Sequence, residues 1–131
     1  MFEYHAWITI HSSPGDEEDS DLQAAFDAAE REVQPLQGGT TQINLRWVNG
    51  MAQLHISGFL NHRSGEGEQV IEAFQRVTKV APGSYGLLYI HDDEDSSGQD
   101  NEFQVIVMRR GATVTHADSF LSPCIPIIED E

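Results

Sequence analysis

Six histidines and one run of four carboxylates are the residues in this sequence with the chemistry to hold a metal or move a proton. The imidazoles of His5, His11, His55, His62, His91 and His116 titrate near neutrality and ligate metals when they converge. Alternation along the strands described below would put His5, His55 and His91 on the outer face of a sheet, and with nearby carboxylates they define a rival reading, a small metal-dependent hydrolase. No pair follows a ligand spacing such as HExxH, and scattered histidines on a solvated sheet face are more often surface residues. No metal site and no cofactor are expected. The run Asp92-Asp93-Glu94-Asp95 lacks the alternating ligands and central glycine of a calcium loop. It reads either as a solvated loop or as one whose repulsion a basic partner surface relieves.

Nucleophilic chemistry has no better support. Cys124 stands between Pro123 and Ile125 with no helix N-terminus or local basic group to lower its pKa, so a core thiol is expected. Gly83-Ser84-Tyr85-Gly86 is followed by no lysine and leads into a strand, which makes it a helix-to-strand turn, not a phosphate loop. An enzyme is therefore not expected.

The elements that must position these residues follow from periodicity. Phe2, Tyr4, Ala6, Ile8 and Ile10 alternate with Glu3, His5, Trp7, Thr9 and His11, the period-two pattern of a half-buried strand. Ser12-Ser13-Pro14-Gly15 breaks it, and the acidic stretch Asp16 to Asp21 leads into a helix whose dipole favours carboxylates there. Leu22, Ala25, Phe26, Ala29 and Val33 form that helix's apolar stripe, and Pro35 with Gly38-Gly39 ends it. Asn49-Gly50 joins strands at Thr40–Val48 and Met51–Phe59, since both residues accept the positive φ of a two-residue turn; Ala52, Leu54 and Ile56 form the inward face. After a loop at Asn61–Gly65, Val70, Ile71, Phe74, Val77 and Ala81 mark a second helix, closed by Pro82-Gly83. Strands follow at Ser84–Asp92, at Glu102–Arg109 with Phe103, Val105 and Val107 on one side, and at Thr113–His116.

The order β-α-β-β-α-β-β implies a single α+β domain over 1–131: two layers, a mostly antiparallel sheet with two helices on one face, in a layout that resembles the ferredoxin-like split β-α-β. Two prolines keep Phe120–Ile128 from forming a helix and make it an ordered strap over the core. Trp7 shares the outward face of the first strand and is either covered by that strap or exposed as an aromatic anchor; Trp47 is expected to be buried. No repeat or long linker divides the chain, so function falls to the loops and the open sheet face.

A chain of 131 residues with 39% hydrophobic content is long enough to bury one core. Seven basic against 22 acidic residues give a formal charge of −15, which repels phosphate backbones and anionic lipid and attracts basic protein surfaces. Nucleic acid and membrane are excluded as partners on that ground. A lone cysteine and a start without the basic and apolar regions of a secretory signal point to the reducing cytoplasm.

Several stretches carry a resemblance: Met1-Phe2-Glu3-Tyr4-His5-Ala6-Trp7, Gly58-Phe59-Leu60-Asn61-His62-Arg63, Ala81-Pro82-Gly83-Ser84-Tyr85-Gly86-Leu87-Leu88-Tyr89, Asp92-Asp93-Glu94-Asp95, Asn101-Glu102-Phe103 and Phe120-Leu121-Ser122-Pro123-Cys124-Ile125-Pro126. Occurring together and in order over nearly the whole chain, they resemble immunity protein family 7 of bacterial polymorphic toxin systems. Ala6 stands where the family commonly has glycine, and Ser12 to Asp21 matches no family pattern. The resemblance implies an antitoxin that inhibits by binding the C-terminal domain of a cognate toxin. Set beside the charge, it makes Asp92, Asp93, Glu94 and Asp95, with Asp16, Glu17, Glu18 and Asp19, the expected partner-binding carboxylates, with Trp7 or Tyr4 as an aromatic anchor. A nuclease with a basic cleft is the toxin such carboxylates would suit.

Overall fold

Strand β1 (Phe2–Ile10) is the spine of the computed structural model, which describes residues 1–131. Phe2, Tyr4, Ala6, Ile8 and Ile10 are all buried, as the alternation requires. β1 is flanked on both sides by antiparallel partners, β3 (Met51–Leu60) and β4 (Tyr85–Asp92). Outside β3 lies β2 (Gln42–Val48), joined to it through Asn49 and Gly50, both at positive φ. Outside β4 lie β5 (Gln104–Arg109) and β6 (Ala112–Ala117), so the sheet reads β2-β3-β1-β4-β5-β6. The first four strands in that order, all antiparallel, are the ferredoxin-like arrangement, here extended by one hairpin.

Helices α1 (Asp19–Val33) and α2 (Ser64–Val80) cover one face. Ala25, Ala29 and Val33 of α1 and Val70, Ile71, Phe74 and Val77 of α2 are buried against the inward side chains of β1, β3 and β4 in one cluster. The stripe spacing read from sequence therefore forms the core. α2 starts at Ser64, inside the stretch expected as loop, because the Arg63 carbonyl already accepts the Gly67 N–H at 2.7 Å. Pro35 sits in a single 3-10 turn, Gln34–Leu36, that closes α1.

Close backbone approaches explain several glycines in the stretches singled out above. A Cβ on Gly86 would run into the Trp7 carbonyl across the β1–β4 pair, one on Gly83 into the backbone of Ser13, and one on Gly58 into the Tyr4 ring. Tyr4 lies opposite Gly58 and fills the glycine's empty side, its hydroxyl sharing a 2.5 Å hydrogen bond with Thr41. Burial raises the Tyr4 phenol pKa.

Two expectations change. The C-terminal segment does form one helical turn, α3 (Cys124–Ile127), broken internally at Ile125 and Pro126. It lies against the outer face, where Cys124 packs on His91, and leaves Phe120, Leu121, Ile125, Ile127 and Ile128 exposed. Trp47 is not buried: 40% exposed, it stacks on Phe26 at 4.8 Å and shields the edge of α1. Val105 and Val107 share a side, as the alternation requires; it is the outer one, while Ile106 and Met108 enter the core.

Gly86→Ala is expected to destabilise the protein by about 1–3 kcal/mol through overpacking, read as a lower urea midpoint at unchanged m-value. An unchanged midpoint would mean that β1 and β4 approach less closely than described.

Candidate functional site

With both helices on one side, the other side of the sheet has no helical layer. Its centre is set by β1 and β4: Glu3, His5, Trp7 and Thr9 alternate outward, opposite His91, Tyr89, Leu87 and Tyr85. Trp7 is 40% exposed, so the strap does not cover it. Tyr85 meets its indole edge-on at 6.1 Å and stacks on His11. Val107 and Val105 extend this apolar band on β5, with Val114 and His116 beyond them on β6. On the other flank Phe59, paired with Glu3, is 59% exposed and lies edge-on to His5. An aromatic and aliphatic band of this kind is what a desolvated partner contact uses.

The two carboxylate segments frame this face from opposite ends. Phe2 pairs with Asp92, placing Asp92–Asp95 beyond the start of β1, while Asp16–Asp19 follow its end. Nine residues of strand separate them by about 3.3 Å each, and the structure does not gather them into one cluster. In the first segment Asp93 and Glu94 are exposed. The Met1 ammonium donates to Asp93 Oδ1 at 2.5 Å, and the His62 ring to Glu94 Oε1 at 2.6 Å. That His62 hydrogen bond lowers the Glu94 pKa. Asp95 builds the loop itself: its Oδ2 accepts the Ser97 hydroxyl and the backbone N–H groups of Ser97 and Gln99, which lowers its pKa. The facing oxygens of Asp92, Asp93 and Glu94 lie within 4.8 Å of one another, a geometry common in exposed acidic loops without any ion.

At the other end only Asp16 and Asp19 are free surface charges. Glu18 caps α1, its N–H donating to Asp21 Oδ2 at 3.4 Å. Glu17 folds back, accepting the Ser12 N–H and hydroxyl at 2.7 Å each and a short hydrogen bond from His11. Burial pushes its carboxyl up, yet the His11 and Ser12 hydrogen bonds together outweigh this and hold it below its ordinary value. Arg109 and Arg110 line the same 280 Å³ cavity as Glu17 and offset the negative field there.

One sequence-based reading is corrected by placement. Tyr4 is wholly buried over Gly58 and cannot reach a partner, because its position in the alternation points it inward. His5, His55 and His91 do not converge: His5 donates to Glu3 at 2.6 Å, His55 lies opposite Trp7, and His91 is buried, donating to the Asp100 carbonyl at 2.8 Å. Cys124 is buried with its sulfur 3.8 Å from His91, and burial pushes its thiol pKa up, the state of an inert core thiol. The sequence reading missed a cleft of 300 Å³ lined by Glu3, His5, Tyr89, Phe103, Asp118, Phe120 and Leu121. Its walls come from β1, β4 and the strap, which no local pattern joins.

The family model described as immunity protein 7 matches residues 1–130. The chain belongs to that family. It is thus an immunity protein, of the kind directed against a toxin. No curated protein and no solved structure matches it. No helix of this immunity protein is long and apolar enough to cross a membrane. The stretches that carried the resemblance divide in the structure: Gly58, Gly83, Gly86 and Cys124 maintain packing, whereas Trp7, Phe59, Tyr85, Asp93, Glu94 and Phe120 are exposed.

Glu17→Gln is expected to cost about 1–3 kcal/mol at neutral pH by weakening a network that holds the β1–α1 loop. Because the folded-state pKa of Glu17 is depressed, its contribution is present above the unfolded value of about 4.3 and is lost as pH falls through the folded value. Urea titrations from pH 7 to pH 3 should show the wild-type advantage shrinking at the acid end; a pH-independent difference would contradict this role.

Proposed function

We propose that this protein protects its producer by binding the C-terminal domain of a cognate polymorphic toxin in the cytoplasm and blocking it without catalysis. The observation that carries the proposal is the open sheet face, where Phe59 stands exposed toward the acidic loop at the Asp93 end and Trp7 and Tyr85 stand exposed farther along β1. Aromatic groups supply the desolvated centre of such a contact, and the surrounding charge sets encounter rate and orientation. Dispersal of the histidines and burial of Cys124 favour inhibition over hydrolysis.

A formal charge of −15 suits a toxin with a basic surface, and a nuclease presents one where it holds phosphate. In this reading Asp93 and Glu94 occupy the place of substrate phosphates at the cleft, with Asp92 and Asp95 shaping the loop that presents them. Asp16 and Asp19 contribute at longer range.

Co-expression with the toxin domain encoded beside this gene tests the function. Survival together with a stoichiometric complex is the expected result. Survival without a complex would indicate enzymatic reversal of damage, and absence of rescue would favour a regulatory module that binds a protein of its own cell.

Electrostatic steering gives a second expectation. Association should slow at least tenfold as salt rises from 10 mM to about 150 mM, where the Debye length shrinks from about 30 to 8 Å. Asp93→Lys with Glu94→Lys should slow it further than Asp16→Lys with Asp19→Lys, with thermal unfolding nearly unchanged in both. A salt-independent association rate would rule out steering.

A further inference from the structure

The cleft between the strap and the outer face of β1 and β4 combines features that the rest of that face lacks. It has a volume of 300 Å³, at the low end of small-ligand sites and suited to one long side chain. Its walls include Phe103, Tyr89, Leu121 and Phe120, the last 81% exposed and standing at the rim. Two carboxylates, Glu3 and Asp118, line the same space.

Asp118 is only 5% exposed and is held rigidly. Its Oδ2 accepts the Leu121 N–H at 2.8 Å and the Ser122 hydroxyl at 3.4 Å, while its backbone N–H donates to the Phe103 carbonyl at 3.0 Å. Its Oδ1 receives no hydrogen bond, and no lysine, arginine or histidine pairs with it. Glu3 differs in being half-buried and in having a partner: His5 engages its Oε2 at 2.6 Å and leaves Oε1 free. Asp118 Oδ1 and Glu3 Oε1 are thus left as acceptors without a partner at the cleft, and a cationic group entering it could make charge-assisted hydrogen bonds to both.

We propose that this cleft receives one cationic side chain of the toxin, arginine in preference to lysine. It rests on the immunity reading only in naming the toxin as the source of that side chain. A planar guanidinium accepts aromatic faces above and below while its N–H groups reach carboxylate oxygens, and the aliphatic stem packs on Leu121 and Phe120. An ammonium satisfies the charge but stacks poorly. The cleft lies at the acidic-loop end of the sheet, since Glu3 pairs with His91 and Phe2 with Asp92. A toxin drawn by Asp93 and Glu94 therefore arrives with its basic surface over the cleft mouth.

The site is tested with the whole protein and N-acetyl-arginine amide as probe, followed by ¹H–¹⁵N NMR. Shifts that saturate in the millimolar range and centre on Tyr89, Phe103, Asp118 and Leu121 are expected. N-acetyl-citrulline amide, isosteric but neutral, should bind at least tenfold more weakly, and Glu3→Gln should weaken the arginine probe about fivefold. Equal binding of both probes, or arginine shifts located elsewhere, would overturn the proposal. Because Asp118 also holds the strap, Phe120→Ala at the exposed rim is the companion variant. It should keep the wild-type spectrum and weaken the complex with the toxin domain about tenfold or more; an unchanged Kd would remove the toxin from the cleft. If wild-type protein bound no toxin domain at all, the immunity reading would fall while the arginine titration still decided the cleft's chemistry.

Discussion

The rest of the structure depends on the pairing of β1 between β3 and β4. These contacts join the first strand to residues 42 to 58 and 76 to 90 positions later in the chain, and they bring the two helices onto the same face. Tolerances are narrow where Gly86 meets the Trp7 carbonyl and Gly58 meets the Tyr4 ring, so glycine is dictated by neighbouring backbone at the first point and by a buried ring at the second. Once β1 is fixed, its inward residues commit to the core and its outward residues to whatever covers the second face. A sheet of six strands with helices on one side exposes more apolar area than solubility favours unless something else covers it. In this chain the strap covers the end at His91 and Phe103 and leaves the middle, around Trp7, exposed.

Charge is distributed unevenly along that face. Near the start of β1, Asp93 and Glu94 project from a loop organised by Asp95, and Glu3 and Asp118 line the neighbouring cleft. Near its end, Glu17 is consumed by His11 and Ser12 while two arginines sit beside it. The field therefore has a direction along β1, and a basic partner would meet the face in a preferred orientation. Under the proposed function, steering and anchoring would then fall to different residues, carboxylates outside and aromatic rings inside.

Local pattern made much of the fold legible. Alternation along Phe2–Ile10, the Asn49-Gly50 turn and the stripes from Ala25 to Val33 and from Val70 to Val77 lead directly to the observed elements. What could not be read is which face of a strand meets helix. Val105 and Val107 look as apolar as Ile106 and Met108, and only the register of β5 on β4 assigns them outward. Trp7 and Trp47 were ambiguous for the same reason: exposure depends on neighbours distant in sequence. The candidate site was legible in kind, as acidic loops and an open face, but not in layout. Nothing local indicates that Asp16–Asp19 and Asp92–Asp95 lie at opposite ends of β1, that Glu17 is an internal acceptor, or that Asp118 joins Glu3 in a cleft.

The central claim is that the partner engages the open outer face, opposite α1 and α2. Equilibrium titration of the toxin domain against arginine substitutions on the two sides of the sheet tests it most directly, because each variant adds one positive charge at an exposed position. Trp7→Arg and Tyr85→Arg, on the open face, are expected to weaken binding a hundredfold or more, whereas Ala24→Arg and Gln69→Arg, exposed on the helices, should stay within about twofold of wild type. Loss of binding on the helix side, with the open-face variants unaffected, would contradict the account.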